Sequence, residues 1–340
     1  MIQDLSMVRL GVDMNRTNYP NGFIGGVEIK GIPIVTLGGK HFFVNPATGS
    51  DGNIGTQWNK PLATLSKAHE KMTEGKHDIC FLIGNGETSG TARESETLVW
   101  SKKSCHIKGI AAPTKYAGRA RYSSASGVTY ATLMTLSADD CIIENVHMFQ
   151  DFATASENTC LNVTGQRNAI VNCHIAGGGN ATGASVATMS SLRLTGDGEN
   201  VFLGCTIGLD TIARTAASAE IELLSAAVRN SFYGCTIETF GAAGTFFVKA
   251  DASGDLDRIT MFDGCSFINY PTGSVGGAAT MTAAMSVHAS AGGIILVRDS
   301  ALVGCTDWTA GDHSLVYLYG AGMGTSGNLN TGIAHTVDVA

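Results

Sequence analysis

Hydrophobic residues along this chain fall in short alternating runs, and the runs recur. Six segments read alike: Ile142-Ile143-Glu144-Asn145-Val146-His147-Met148, Ile170-Val171-Asn172-Cys173-His174-Ile175, Phe202-Leu203-Gly204-Cys205-Thr206-Ile207, Phe232-Tyr233-Gly234-Cys235-Thr236-Ile237, Phe262-Asp263-Gly264-Cys265-Ser266-Phe267 and Val297-Arg298-Asp299-Ser300-Ala301-Leu302. A weaker seventh, Ile107-Lys108-Gly109-Ile110, precedes them. Their central residues are Gly109, Asn145, Asn172, Gly204, Gly234, Gly264 and Asp299, spaced by 36, 27, 32, 30, 30 and 35. All are Gly, Asn or Asp, the residues that most readily accept positive φ. The pattern predicts a one-residue left-handed bend between two short strands whose side chains alternate inward and outward.

A second strand precedes each bend: Leu133–Leu136, Cys160–Val163, Leu192–Leu194, Ile221–Leu224 and Phe246–Val248. Turn formers such as Gly196-Asp197-Gly198 and Ser253-Gly254-Asp255 separate them. Three short strands in about thirty residues, with no helical alternation inside the repeat, match one coil of a solenoid. The fold expected is all-β, a right-handed parallel β-helix of about seven or more coils with a short N-terminal capping helix. Stacked coils would align Cys173, Cys205, Cys235 and Cys265 as an interior ladder, since free Cys behaves as a small buried apolar residue. Parallel Cβ vectors along such a ladder suit packing better than disulfides. His147 and His174 would stack on the outer surface of successive coils.

The ends break the repeat. Residues 1–39 hold one strand-like run, Val27 to Val35, and read as an arm. Residues 40–110 form the entry, 111–313 the coils and 314–340 a C-terminal cap or tail. Within the entry, Pro61 fits the first position of a helix running to about Thr73, with Leu62, Leu65, Ala68 and Met72 on its apolar face. Such a helix would cover the open edge of the first coil.

The entry resembles that of pectin-lyase-like β-helix proteins. Phe42-Phe43-Val44-Asn45-Pro46 leads into Gly49-Ser50-Asp51-Gly52-Asn53-Ile54-Gly55-Thr56, then Pro61-Leu62-Ala63-Thr64-Leu65, then the strand Ile79-Cys80-Phe81-Leu82-Ile83. The resemblance implies the fold and leaves function open, because that fold serves lyases, hydrolases, adhesins and phage virion proteins.

Composition narrows the choice. With 22 basic and 29 acidic residues the net charge is -7, and no basic stripe suggests a nucleic-acid partner. The basic pairs Lys102-Lys103 and Arg119 with Arg121 read as solvated loop charges. No run nears the roughly twenty apolar residues of a membrane span, and Met1 to Leu5 carries no secretory signal pattern. None of the nine Cys falls in zinc spacing, so no metal or cofactor is expected.

Nor does a catalytic set stand out. Gly-His-Gly, which the resemblance would require of a polygalacturonase, is absent. Asp139-Asp140 reads as a turn pair, and Trp58, Trp100 and Trp308 form no aromatic row. Glu222 and Glu238, on neighbouring strands, come nearest to the paired carboxylates of glycoside hydrolysis. These readings lead to an expectation of a non-enzymatic virion protein of a tailed phage, a capsid decoration or head-fibre protein made in the host cytoplasm. The resemblance adds a homotrimer, and residues 1–39 would anchor it to the capsid. The alternative is a tailspike or tail fibre that binds or cleaves host polysaccharide.

Overall fold

Backbone at six of the seven bend positions is left-handed: φ is 55° at Asn145, 48° at Asn172, 59° at Gly204, 58° at Gly234, 61° at Gly264 and 46° at Asp299. Each bend turns the chain from one sheet into the next, as Asn172 does between strands Ala169–Val171 and His174–Ala176. Gly109 departs from this pattern. It lies inside strand His106–Ile110, paired with Leu82, and its φ is not positive. Glycine is needed there for close approach, because a Cβ would fall 1.9 Å from the Asn145 carbonyl oxygen. The chain runs on into residues 111–120 instead of bending.

The computed structural model describes residues 39–154, 156, 158–270, 281–310 and 315–323. The anchoring arm therefore lies outside the described residues except for Gly39, as does the tail from 324 onward. Among the described residues the strands form three parallel sheets of ten, nine and eight strands. Each strand pairs with its equivalents in the coils before and after, the connectivity of a right-handed parallel β-helix. Strand Val316–Tyr319, assigned from sequence to the terminal cap, is the last strand of the ten-stranded sheet.

Like side chains stack inside. Phe202, Phe232 and Phe262 lie ring on ring, with centroids 4.6 Å apart at both steps, which is the strand spacing itself. Beside them, Cys173, Cys205, Cys235 and Cys265 each direct Sγ to a carbonyl one coil back: Ile143 (3.5 Å), Ile170 (3.3 Å), Phe202 (3.5 Å) and Phe232 (3.5 Å). All nine cysteines are free and buried, and burial pushes the Cys173 thiol up to about 12. Asn168, Asn200 and Asn230 form a second ladder, in which the backbone N–H of Asn168 donates to Asn200 Oδ1 and that of Asn200 to Asn230 Oδ1.

The entry motif is a staple. Asp51 accepts hydrogen bonds from the backbone N–H groups of Ala63 (2.9 Å) and Thr64 (3.0 Å) and from Thr64 Oγ1 (2.8 Å). Asn53 Nδ2 donates to the Pro61 carbonyl at 2.7 Å. Leu62 bridges to Val44, so Pro61 precedes an extended segment and not a helix. The helix is shorter than expected, Leu65–Lys71, with Thr64 as N-cap accepting from Lys67 N at 3.2 Å. Its far end is closed by Lys102 Nζ, which donates to the carbonyls of His69, Glu70 and Met72. The buried Leu65 and Ala68 seat it on the first coil.

Candidate functional site on the nine-stranded sheet

Register fixes which outward side chains meet. One column on the outer face of the nine-stranded sheet runs Arg121, His147, His174, Thr206, Thr236 and Ser266. The neighbouring column holds Arg93, Ser123, Phe149 and Ala176, then Gly208 and Glu238. Inward residues between them, such as Ile175, Ile207 and Ile237, belong to the core.

This stripe concentrates unmet hydrogen-bonding capacity. Of sixteen buried side-chain polar atoms without a partner among the described residues, eight lie here: Thr91 Oγ1, Arg121 Nε, Ser123 Oγ, His147 Nε2, His174 Nδ1, Thr206 Oγ1 and both oxygens of Glu238. An unmet buried polar atom costs about 1–3 kcal/mol, so a row of them marks a surface built to meet something else.

His147 and His174 stack with centroids 4.5 Å apart and rings 8° from parallel. They are buried, not solvated as expected, because residues 111–120 pass over them. His147 Nδ1–H donates to the Gly118 carbonyl at 3.3 Å, and Tyr116 meets the His174 ring edge-on. His174 Nε2–H donates to the Gly208 carbonyl at 3.0 Å. Since a carbonyl only accepts, these bonds fix both neutral tautomers and leave His147 Nε2 and His174 Nδ1 bare. Burial, with the neighbouring His174 and Arg121, lowers His147 to about 2. Burial lowers His174 too.

Glu238 lies in strand Thr236–Gly241 with no exposed surface. Burial first, then the charges of Asp210 and Glu220, raise its carboxyl to about 8. The Tyr116 phenol faces it and is itself pushed up, by burial and then by Glu238 and Tyr270. Glu220 is held differently: its Oε2 accepts from Arg214 Nη2 at 2.5 Å and Ser191 Oγ at 2.6 Å, a closed internal ion pair. Glu222 does not join Glu238. It belongs to the eight-stranded sheet and pairs with Arg193 at 2.8 Å. The carboxylates that act on Glu238 are Asp210, two residues along from Gly208 on the preceding coil, and Glu220.

Arg121 is no loop charge. It opens strand Arg121–Ser124, and its guanidinium lies over the Phe149 ring at 4.3 Å. Asp139 and Asp140 are turn residues, tied by Lys103 and Arg167. Trp100 and Trp308 are buried. Among the described residues no group of three or more His, Cys, Asp or Glu is arranged to hold a metal, and no helix is long and apolar enough to cross a membrane.

No family model matches the chain, and no curated protein matches it. Solved structures do. A pectin methylesterase from Erwinia chrysanthemi aligns over 87% of this chain and 91% of its own, at 13% identity and TM-score 0.53. A rhamnogalacturonan lyase aligns over 78% and 68%, at 15% identity and TM-score 0.53. A pectate lyase aligns over 84% and 77%, at 12% identity and TM-score 0.53. The chain has the pectin-lyase-like β-helix fold. With it comes a correction to the expectation that the chain is no enzyme. A pectin methylesterase, a rhamnogalacturonan lyase and a pectate lyase share this fold, so it is one that enzymes use, and the expectation of a non-enzyme loses its footing. The sequence offered no clustered polar set because the solenoid's interior accounts for its distinctive residues, while the outward stripe is assembled from single residues one coil apart.

Proposed function

We propose that this pectin-lyase-like β-helix cleaves glycosidic bonds of a polysaccharide laid along the nine-stranded sheet, with Glu238 as proton donor. The observation behind the proposal is the Glu238 carboxyl, fully buried under the Tyr116 phenol and protonated up to about pH 8, with the charge of a second carboxylate, Asp210, acting on it. A carboxyl kept protonated in this way suits the acid of a carboxyl pair, which gives Asp210 the part of the base. Glu238 passes its proton to the departing glycosidic oxygen as the bond from that oxygen to the anomeric carbon breaks. Water attacks the anomeric carbon and loses a proton to Asp210, and solvent returns both groups to their starting states. Tyr116 lies over this point, so substrate entry requires residues 111–120 to lift.

Reducing ends released from a panel of bacterial and plant polysaccharides test the reading. Glu238→Gln should lower the rate by about 10²- to 10⁴-fold, the usual contribution of a general acid, while Glu222→Gln leaves it unchanged. A panel without turnover, or full activity in Glu238→Gln, would overturn it.

The setting proposed for this activity is a tailed-phage particle, with residues 1–39 as the attachment arm. Its support is that the arm shows none of the repeat and ends just before the first β-helix strand, His41–Val44. Removing residues 1–39 should abolish attachment to the particle and preserve the β-sheet circular dichroism; retained attachment refutes the arm.

A further inference from the structure

We infer that Arg93, Arg119 and Arg121 form a binding site for a phosphate monoester at the opposite end of the stripe from Glu238. Nine arginines are described, and six of them (Arg167, Arg193, Arg214, Arg229, Arg258 and Arg298) have a carboxylate within 4.0 Å. The other three are Arg93, Arg119 and Arg121, and they cluster. Arg93 pairs in register with Ser123 on the adjacent strand, Arg121 lies two residues before Ser123, and Arg119 two before that. Burial together with the charges of Arg119 and Arg93 lowers the affinity of Arg121 for its own proton, a like-charge tension that an anion relieves.

The cluster is built, not merely crowded. Stacking on Phe149 fixes the Arg121 plane and leaves Nε buried without an acceptor. Ser123, with 1% of its surface exposed and in register with Arg93, has an unpartnered hydroxyl, as does Thr91, at 5%, two residues before Arg93. Arg93 lies in the wall of two clefts. One, of about 410 Å³, is lined by Ser124, Ser126, Thr129 and Asp151, and the other, of about 540 Å³, by Thr64, Thr88, Ser89 and Thr91. Fixed guanidinium forks and hydroxyl donors suit a tetrahedral oxyanion.

Charge balance selects its valence. Among the described residues Asp151 is the carboxylate whose charge acts on Arg121, so these four side chains together carry three positive charges and one negative. The net charge of about two matches a phosphate monoester, which is dianionic above its second pKa near 6, whereas a carboxylate leaves one charge unmet. The site stands whether or not Glu238 is a proton donor.

Isothermal titration calorimetry at about pH 7.5 tests it with glucose 1-phosphate, inorganic phosphate and galacturonate. Glucose 1-phosphate should bind at least about tenfold more tightly than galacturonate. Arg121→Gln should weaken it about tenfold or more, the loss of one charge-assisted contact. Should Arg121→Gln fail to fold, Arg119→Gln, at the edge of the cluster, gives the same readout. Asp151→Asn should tighten binding. Equal binding of galacturonate, tighter binding of inorganic phosphate than of the monoester, or the absence of heat would each overturn the proposal. Glu238→Gln should bind glucose 1-phosphate as the parent does, which keeps this result separate from loss of turnover.

Discussion

His174 Nε2 lies 3.9 Å from Glu238 Oε1, yet its proton points to the Gly208 carbonyl, 3.0 Å away. The two side chains are neighbours without being an ion pair, because burial keeps both in their neutral forms. The proton donation proposed for this face would therefore begin from an uncharged imidazole and a protonated carboxyl.

Turnover should fall as pH rises through about 8, where Glu238 loses its proton. The same group affects stability. Its pKa is raised on folding from an ordinary 4.5, so the stability it contributes is fully present below 4.5 and is lost as pH climbs to 8. Thermal denaturation followed from pH 5 to 9 should show the parent losing stability relative to Glu238→Gln across that window. Parallel curves for the two proteins would contradict the buried, protonated carboxyl.

The histidine stack works in the opposite sense. His147 is lowered on folding from 6.5 to about 2, so its contribution is present above 6.5 and lost as pH falls below that value. Each unit of pH costs up to about 1.4 kcal/mol for one such group. Urea midpoints at pH 7 and pH 4.5 should therefore lie closer together in His147→Gln than in the parent. An unchanged gap means that His147 does not titrate between the folded and unfolded states.

Phe232 lies between Phe202 and Phe262 and is fully buried. Phe232→Ala opens a cavity that neighbours on both coils line, and should cost about 3–5 kcal/mol. Chemical denaturation measures it, and a loss under about 1 kcal/mol would mean that the coils close over the gap.

Thiol reagents should find no reactive cysteine in the native chain and all nine after unfolding, since every one is buried. A single fast-reacting thiol under native conditions would mean that at least one cysteine is not buried.

The coils were legible because their signal is repeated. Gly, Asn or Asp at the bends and Cys beside them recur at nearly constant spacing, and each recurrence reinforces the others. Gly109 shared the composition but not the conformation: a glycine required by the approach of Asn145 looks in sequence like one required by a bend. The site was barely legible. Glu238 could be picked out as an outward acid, yet its neighbour Asp210 is 28 positions away, and the arginines sit where loops of differing length hide the register. Once coils are aligned on the bends, Gly208 falls opposite Glu238 and Asp210 two positions beyond. Pairing acids across aligned coils would have found them where scanning along the chain could not.

The stacking of one strand per coil also gives the outer face a graduated scale. From Arg93 to Glu238 the column crosses six strands, or five steps of about 4.8 Å, close to 24 Å in all. Side chains there can change identity but not pitch, so the interval between a charged anchor and a reactive carboxyl comes only in whole steps. Insertion or deletion of one complete coil between Phe149 and Gly208 would shift that interval by a single graduation and leave both ends intact. In such a molecule the length of ligand accommodated is counted out in coils, independently of the chemistry at either end.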